Sequence, residues 1–243
     1  GAFDNFDTIL CVGDYQIKEI RETELVYGLK PKNLLEHGYG HLDSLMKNDF
    51  SSSLQKTQNK KQILIAPSWG PNTLLENHGH EIIKILLDND FYVIVRPHPA
   101  TIKNKSKIIN SIKENFKNNS NFKLETNTRS FDSLQSSQYL ISDWSGIALE
   151  YAFSVERPVL FVDVPKKFNN EDYEKIKYTP IEDSLRKKLG KIISPKEIEK
   201  IPEKLDYLDK NLEDFKKQII QTRSNTIFNL GRSGEIGAKY IMN

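Results

Sequence analysis

Short, continuous apolar runs that each end in a rigid or polar corner constrain this chain more than any other feature. "QILIAPSW" (62–69), "FYVIVRPHP" (91–99), "YLISDWSG" (139–146) and "RPVLFVD" (157–163) follow one another along the sequence. Between them lie "NTLLENHGHEIIKILLDN" (72–89), where Leu74, Leu75, Ile82, Ile85 and Leu86 form a helical stripe, and "TIKNKSKIINSIKENFKN" (101–118). The pattern continues through "NFKLET", the short helix "SFDSLQSS" and the helix "SGIALEYAF". Strands without polar alternation are buried on both faces, and strand–helix alternation of this kind builds a parallel sheet. We therefore expect an α/β fold, a parallel sheet with helices on both of its faces.

The first part of the chain repeats the order on a smaller scale. "DTILCVG" (7–13) and "LLEHG" (34–38) read as strands, with helices over 14–29 and 41–48. "DFSSSLQKTQNKKQ" (49–62) is polar and aperiodic, which marks a linker. The expected organisation is 1–48 as the end of one domain, 49–61 as linker, and 62–243 as a second domain. Beyond Pro165 the periodicity weakens until "PEKLDYLDKNLEDFKKQIIQTRSNTIF" (202–228), which reads as one or two helices. Gly1 is not an initiating Met, so we expect natural sequence upstream of it.

Composition narrows the function classes. Hydrophobic residues make up 37%, enough for a sizeable core. The 35 Lys and Arg stand against 33 Asp and Glu, a formal charge of +2 that does not announce a nucleic-acid binder. Any anion must be held by local geometry. Cys11 is the sole cysteine, which excludes an intrachain disulfide or a multi-Cys metal site and fits a reducing compartment. No apolar run approaches the roughly 20 residues of a spanning helix, and no signal-peptide pattern opens the chain. The expectation is a soluble, cytoplasmic protein.

In an open parallel sheet, ligands bind beyond the carboxyl ends of the strands, so the corners "APSWGPN" (66–72), "RPHPA" (96–100) and "SDWSG" (142–146) are the candidate site. A helix starting at Gly146 and capped by the Ser145 hydroxyl presents free first-turn amides and a partial positive charge, the setting for a phosphate. Gly146 lets a ligand approach the backbone. Asp143 is expected to hydrogen-bond the Ser145 or Trp144 backbone or to contact ligand hydroxyls, and Trp144 either packs or lines the site. Against this stands an ordinary strand-to-helix turn. The prolines flanking His98 stiffen its loop, and imidazole donates to phosphate or shuttles protons; a packing histidine is the alternative. Ser68 and Asn72 offer further hydrogen bonds. Glu150, one turn into the helix, can accept from ribose hydroxyls or can be a plain carboxylate near a helix N-terminus. "DND" (88–90) sits at the opposite edge of the sheet and is read as a solvated turn, and His78 and His80, two apart, do not share a helix face. The Lys-rich stretches 103–117 and 186–200 read as exposed helix faces that could lean on an anionic membrane. No metal site and no cofactor is expected.

Taken in order, "ILIAPSW", "VIVRPHP", "YLISDWSGIALEYAF" and "RPVLFVDVPKKF", with the tail "FNLGRSGEIGAKYI", resemble the C-terminal half of the CDP-glycerol glycerophosphotransferase family, enzymes of teichoic-acid-type polymers. The resemblance spans roughly residues 6–243. It implies a glycosyltransferase-B fold with Rossmann-like domains, the C-terminal one holding the nucleotide, and residues 1–48 as a remnant of the N-terminal one. It also implies attack of an acceptor hydroxyl on the β-phosphorus of CDP-glycerol with loss of CMP. His98 matches the family's Arg-x-His motif, which gives it a catalytic or phosphate-binding role beside Arg96; Ser68 and Ser145 match positions near the donor. The implied partners are CDP-glycerol or a related donor and a polymer or lipid-linked acceptor, with peripheral contact at the inner face of the membrane. "GYGH" (38–41) departs from the Gly-x-Pro-Arg frequent in the family, and "TRSFD" (128–132) lacks a second His. Competing expectations are a nucleotide-sugar glycosyltransferase, a UDP-N-acetylglucosamine 2-epimerase-like enzyme and a non-catalytic nucleotide-binding module.

Overall fold

The structure is a computed structural model that describes residues 3–47, 60–127, 130–166 and 173–242. The chain divides into two units, one formed by 1–48, 168–184 and 220–243, the other by 49–167 and 185–219. Most of the expected linker 49–61 lies outside the described residues.

In the first unit, β1 (Thr8–Cys11) and β2 (Asn33–Glu36) pair in parallel, Thr8 opposite Asn33 and Cys11 opposite Glu36. They are followed by α1 (Asp14–Tyr27) and α2 (Gly40–Lys47), respectively. Ile9, Cys11 and Ile20 are buried together, with Ile17, Leu34 and Phe228 packed around them.

The second unit carries the repeating pattern. Its elements are β3 (Gln62–Ile65), α3 (Leu74–Asp88), β4 (Tyr92–Val95), α4 (Pro99–Asn104), α5 (Ser106–Phe116), β5 (Phe122–Leu124), α6 (Asp132–Ser136), β6 (Tyr139–Ser142), α7 (Ile147–Val155) and β7 (Val159–Val162). Next come α8 (Ile181–Leu189), β8 (Gly190–Ile193), α9 (Ile201–Lys210) and α10 (Leu212–Thr226), and the chain ends in α11 (Ser233–Met242) of the first unit; the division falls within α8 and within α10. Six parallel strands form one sheet in the order β5-β4-β3-β6-β7-β8. Burial follows position: every residue of β3, β6 and β7 is buried, whereas the edge strand β5 exposes Lys123. This is why the central strands read as unbroken apolar runs.

Several expectations are corrected. The helix expected over 101–118 is two helices, because Lys105 leaves helical geometry, closes α4 through its amide to the Thr101 carbonyl, and pairs with Glu76 at 2.8 Å. In α3 it is Ile83 rather than Ile85 that is fully buried. Strand β8 had no clear signal after Pro165, and Arg186, expected on an exposed Lys-rich face, is 3% exposed. Residues 220–243, expected with the large domain, pack instead with residues 1–48. There the buried Asp43 carboxylate accepts from the Gly231 amide at 2.7 Å, the Ser233 amide at 3.0 Å and the Ser233 hydroxyl.

Gly38, in the "GYGH" stretch, explains one local requirement. Its φ is +105°, and a Cβ there would lie 2.4 Å from the Phe228 carbonyl oxygen. We expect Gly38→Ala to lower unfolding free energy by about 3 kcal/mol, since strain and backbone overlap combine. Gly28 also has a positive φ, +61°, but nothing within 4 Å of its Cβ position. Gly28→Ala should therefore cost only about 1–2 kcal/mol. Urea titration of both variants checks the difference, and equal losses would discount the Phe228 contact.

Candidate functional site

Strand order reverses between β3 and β6, so the loops that leave these two strands and β4 converge at one end of the sheet. A cavity of about 340 Å³ opens there. Arg96 and His98 line it from the β4 corner, Ser145, Gly146 and Glu150 from the β6–α7 corner, and Ala66 and Pro67 from the end of β3.

His98 is held by backbone chemistry. It is the N-cap of α4, with Pro99 at the first helical position, and its Nδ1 accepts from the Ala100 amide at 3.1 Å. An Nδ1 that accepts leaves the ring proton of the neutral imidazole on Nε2, so the ring is a hydrogen-bond donor there. The Trp69 ring stacks on it, 5.9 Å between centroids with 27° between planes. Trp69 was not among the expected site residues; an aromatic placed directly after Ser68 at a strand end was the available signal.

Arg96 is 5% exposed. Its Nη1 donates to the Ser130 carbonyl at 2.8 Å and lies 3.8 Å from Glu125, while the guanidinium covers the Phe131 ring at 5.1 Å. Burial pulls its pKa below the ordinary value, and Glu125 and Glu150 oppose that by favouring the cation.

At the β6–α7 corner the expected capping is not found. Gly146 is the N-cap, in right-handed helical geometry, and no side chain caps the helix. The Ser145 carbonyl accepts from the Ala148 amide at 3.1 Å, and the Gly146 carbonyl from the Leu149 amide at 3.0 Å. The Ser145 side chain lines the cavity, and because these carbonyls already take the Ala148 and Leu149 amides, the start of α7 leaves the Ile147 amide outside the helix's own hydrogen bonds.

The other expected residues build the frame around the cavity. Asp143, 1% exposed, accepts from the Ser68 amide at 2.7 Å and the Leu74 amide at 3.2 Å. The neighbouring Ser142 hydroxyl donates to the Ala66 carbonyl at 2.7 Å. Asn72 takes a positive φ of 55° and donates its amide to Glu76 at 3.1 Å. Trp144 donates its indole N–H to the Val164 carbonyl at 2.8 Å. Ser68, Asn72, Asp143 and Trp144 therefore hold the loops whose neighbours form the cavity.

A larger cavity, about 680 Å³, lies over the β4–β5 part of the sheet, lined among others by Tyr92, Lys123, Glu125, Asn127 and Ser133. In the smaller one a helix N-terminus, a histidine and an arginine meet. Asp88 and Asp90 pair with Lys84 and Lys60 at the opposite end of β4. Among the described residues no cluster of His, Cys, Asp or Glu could hold a metal ion.

The six-stranded parallel sheet with helices defines an α/β protein with a fold of the glycosyltransferase-B kind and a cavity at its switch point. A family model described as CDP-Glycerol:Poly(glycerophosphate) glycerophosphotransferase matches residues 5–228, and the chain belongs to that family. Among solved structures it is similar to the wall teichoic acid polymerase TagF, with TM-score 0.62 and 20% identity over 97% of this chain and 57% of that one. It is also similar to WaaG, a glycosyltransferase involved in lipopolysaccharide biosynthesis (TM-score 0.53, 14% identity, 96% and 62%). UDP-GlcNAc 2-epimerase from Neisseria meningitidis bound to UDP-GlcNAc aligns at TM-score 0.53 and 16% identity over 91% and 58%. These likenesses show the fold. The chain spans little more than half the length of TagF. None of the curated proteins matches.

Asp143 joins two loops, so its amide analogue should be costly. Asp143→Asn keeps one acceptor and turns an NH2 group toward a backbone N–H, for a loss of about 3 kcal/mol in urea unfolding. The exposed Asp88→Asn should stay within about 0.5 kcal/mol of the unaltered protein.

Proposed function

We propose that this chain binds the nucleotide-diphosphate donor of a glycerol-phosphate-type transfer, CDP-glycerol or a relative, and supports passage of that group to a surface polymer or glycolipid acceptor with release of CMP. The observation that carries the reading is the meeting of His98 Nε2–H, Ser145 and the uncapped start of α7 in one cavity. In the reaction an acceptor hydroxyl oxygen forms a bond to the β-phosphorus and releases its proton to solvent. The bond from that phosphorus to the bridging oxygen breaks, and the oxygen keeps the electron pair as CMP departs. Catalysis of such a step is mostly positioning and charge stabilisation. The Ile147 amide, the positive end of α7 and the Ser145 hydroxyl suit the diphosphate oxygens, and His98 donates to the oxygen on which charge develops. Arg96 adds positive potential from behind. Glu150, within the first turn of α7, is suited to the ribose hydroxyls.

The acceptor is expected at the inner face of the cell membrane, the protein being cytoplasmic and in peripheral contact with it. Support comes from the exposed Lys103, Lys107, Lys113 and Lys117 along α4 and α5. Among the described residues no helix is long and apolar enough to cross a membrane.

Calorimetric titration with CDP-glycerol, CMP, cytidine and UDP-sugars tests the donor. We expect Ser145→Ala to weaken CDP-glycerol binding by about 1–2 kcal/mol, the scale of one charge-assisted hydrogen bond, and to leave cytidine almost unaffected. Tighter binding of UDP-N-acetylglucosamine than of CDP-glycerol would favour a nucleotide-sugar enzyme. A separate expectation concerns Glu150→Gln, which should reduce affinity for ribonucleotides and spare their 2′,3′-dideoxy analogues. Equal losses for both would return Glu150 to a helix-end role.

A further inference from the structure

Trp144 stands between Asp143 and Ser145, yet its ring is engaged outside the cavity wall. Its N–H is fixed by the Val164 carbonyl, and the Arg186 guanidinium carbon lies 3.8 Å from the ring centroid, the distance of a flat stack. Lys166 Nζ is 5.0 Å from the same centroid. Arg186 is in turn anchored at the end of β7. Its Nη1 donates to Asp163 at 2.8 Å and its Nη2 to the Val162 carbonyl at 3.4 Å, and the Phe161 ring lies 5.2 Å away.

This arrangement is expensive for a purely structural one. Arg186 is 3% exposed, its partner Asp163 is half exposed, and its Nε is buried with no hydrogen-bond partner. An apolar side chain of similar volume would fill the same space without taking an ion out of water. At the β6–α7 corner, however, no side chain caps α7, nothing lies within 4 Å of a Cβ placed on Gly146, and the Ser145 and Gly146 carbonyls are tied to first-turn amides of α7 itself. Asp143 fixes the corner at one residue; the next grip is on Trp144.

We propose that Arg186 is a positioning residue for the diphosphate-binding corner, holding Ser145 and Gly146 in place through its stack on Trp144. The proposal rests on the donor reading given above. A guanidinium offers a planar face and a fork of donors together, which a lysine ammonium does not, so the conservative replacement should fail here.

The test is a double-mutant cycle read by calorimetry with CDP-glycerol, well below the melting midpoint of each variant. Arg186→Lys and Trp144→Leu should each weaken binding on the order of tenfold, and the double variant no further than either alone, because both break one contact. Arg186→Met, which keeps volume and discards the ion, should show the same loss of affinity even where it melts no lower than the unaltered protein. Unchanged affinity in the variants would assign Arg186 to stability alone and overturn the proposal, and so would losses that multiply in the double variant.

A failure of the donor reading looks different, since the unaltered protein would then not bind CDP-glycerol. In that event the fluorescence anisotropy of Trp144, isolated by Trp69→Phe, decides the matter. Arg186→Lys and Arg186→Met should lower it. An anisotropy that does not move in either variant overturns the positioning role, independently of any ligand.

Discussion

The site depends on one buried carboxylate. Asp143 follows the last residue of β6, yet both of its oxygens serve the loop that leaves β3, one through the Ser68 amide and the other through the Leu74 amide at the start of α3. A charge this deeply buried is tolerable because amide donors replace its water and a helix N-terminus adds favourable potential. The bond crosses the point where strand order reverses, so the crevice at the switch point is closed by the same contact that satisfies the ion. The Ser142 hydroxyl on the Ala66 carbonyl repeats the tie one residue earlier.

From that frame the division of labour among neighbours follows. Residues whose side chains are spent on backbone groups, Asp143 and Trp144, sit beside residues that line the cavity, Ser145 and Glu150. At the β4 corner one residue does both. His98 uses Nδ1 to begin α4 and in doing so fixes its proton on Nε2. The tautomer therefore comes from the fold itself, which turns an ambivalent imidazole into a donor before any ligand arrives. Arg96 is committed likewise: a carbonyl, a carboxylate and an aromatic face hold it, so what it gives the cavity is mainly its field.

The strands and the corners were legible in the sequence because both carry local signals. Buried parallel strands must be apolar throughout, and Pro97, Pro99 and Gly146 punctuate the places where backbone direction changes. The interior of the site was less legible. Nothing in "SDWSG" tells that Asp143 turns to a loop some seventy-five residues earlier rather than to its own helix. The cap on α7 was misassigned for a related reason, since a backbone carbonyl did the work expected of the Ser145 hydroxyl. Arg186 was hidden most fully. In "LRKKLGK" it is one cation among several, and only packing separates the one beneath Trp144 from its exposed neighbours Lys187 and Lys188. The return of 220–243 to the first unit was equally silent, because the Asp43–Ser233 contact joins residues 190 apart.

Charge balance around the cavity gives the last step. Burial works against the Arg96 cation while the Glu125 and Glu150 carboxylates favour it, so the positive group at the cavity wall is set between opposing influences. Under the donor reading proposed above, a nucleotide would alter that balance in a definite way. Its ribose hydroxyls would give Glu150 neutral donors, and its diphosphate would present new negative charge to the start of α7 and to the field of Arg96. On that reading the electrostatic gain would fall on the phosphates, where a developing charge is stabilised, and not on the base or sugar. A pocket preset in this manner would pay little reorganisation in the proposed transfer, and its corners are held by the Asp143 tie and by the prolines around His98.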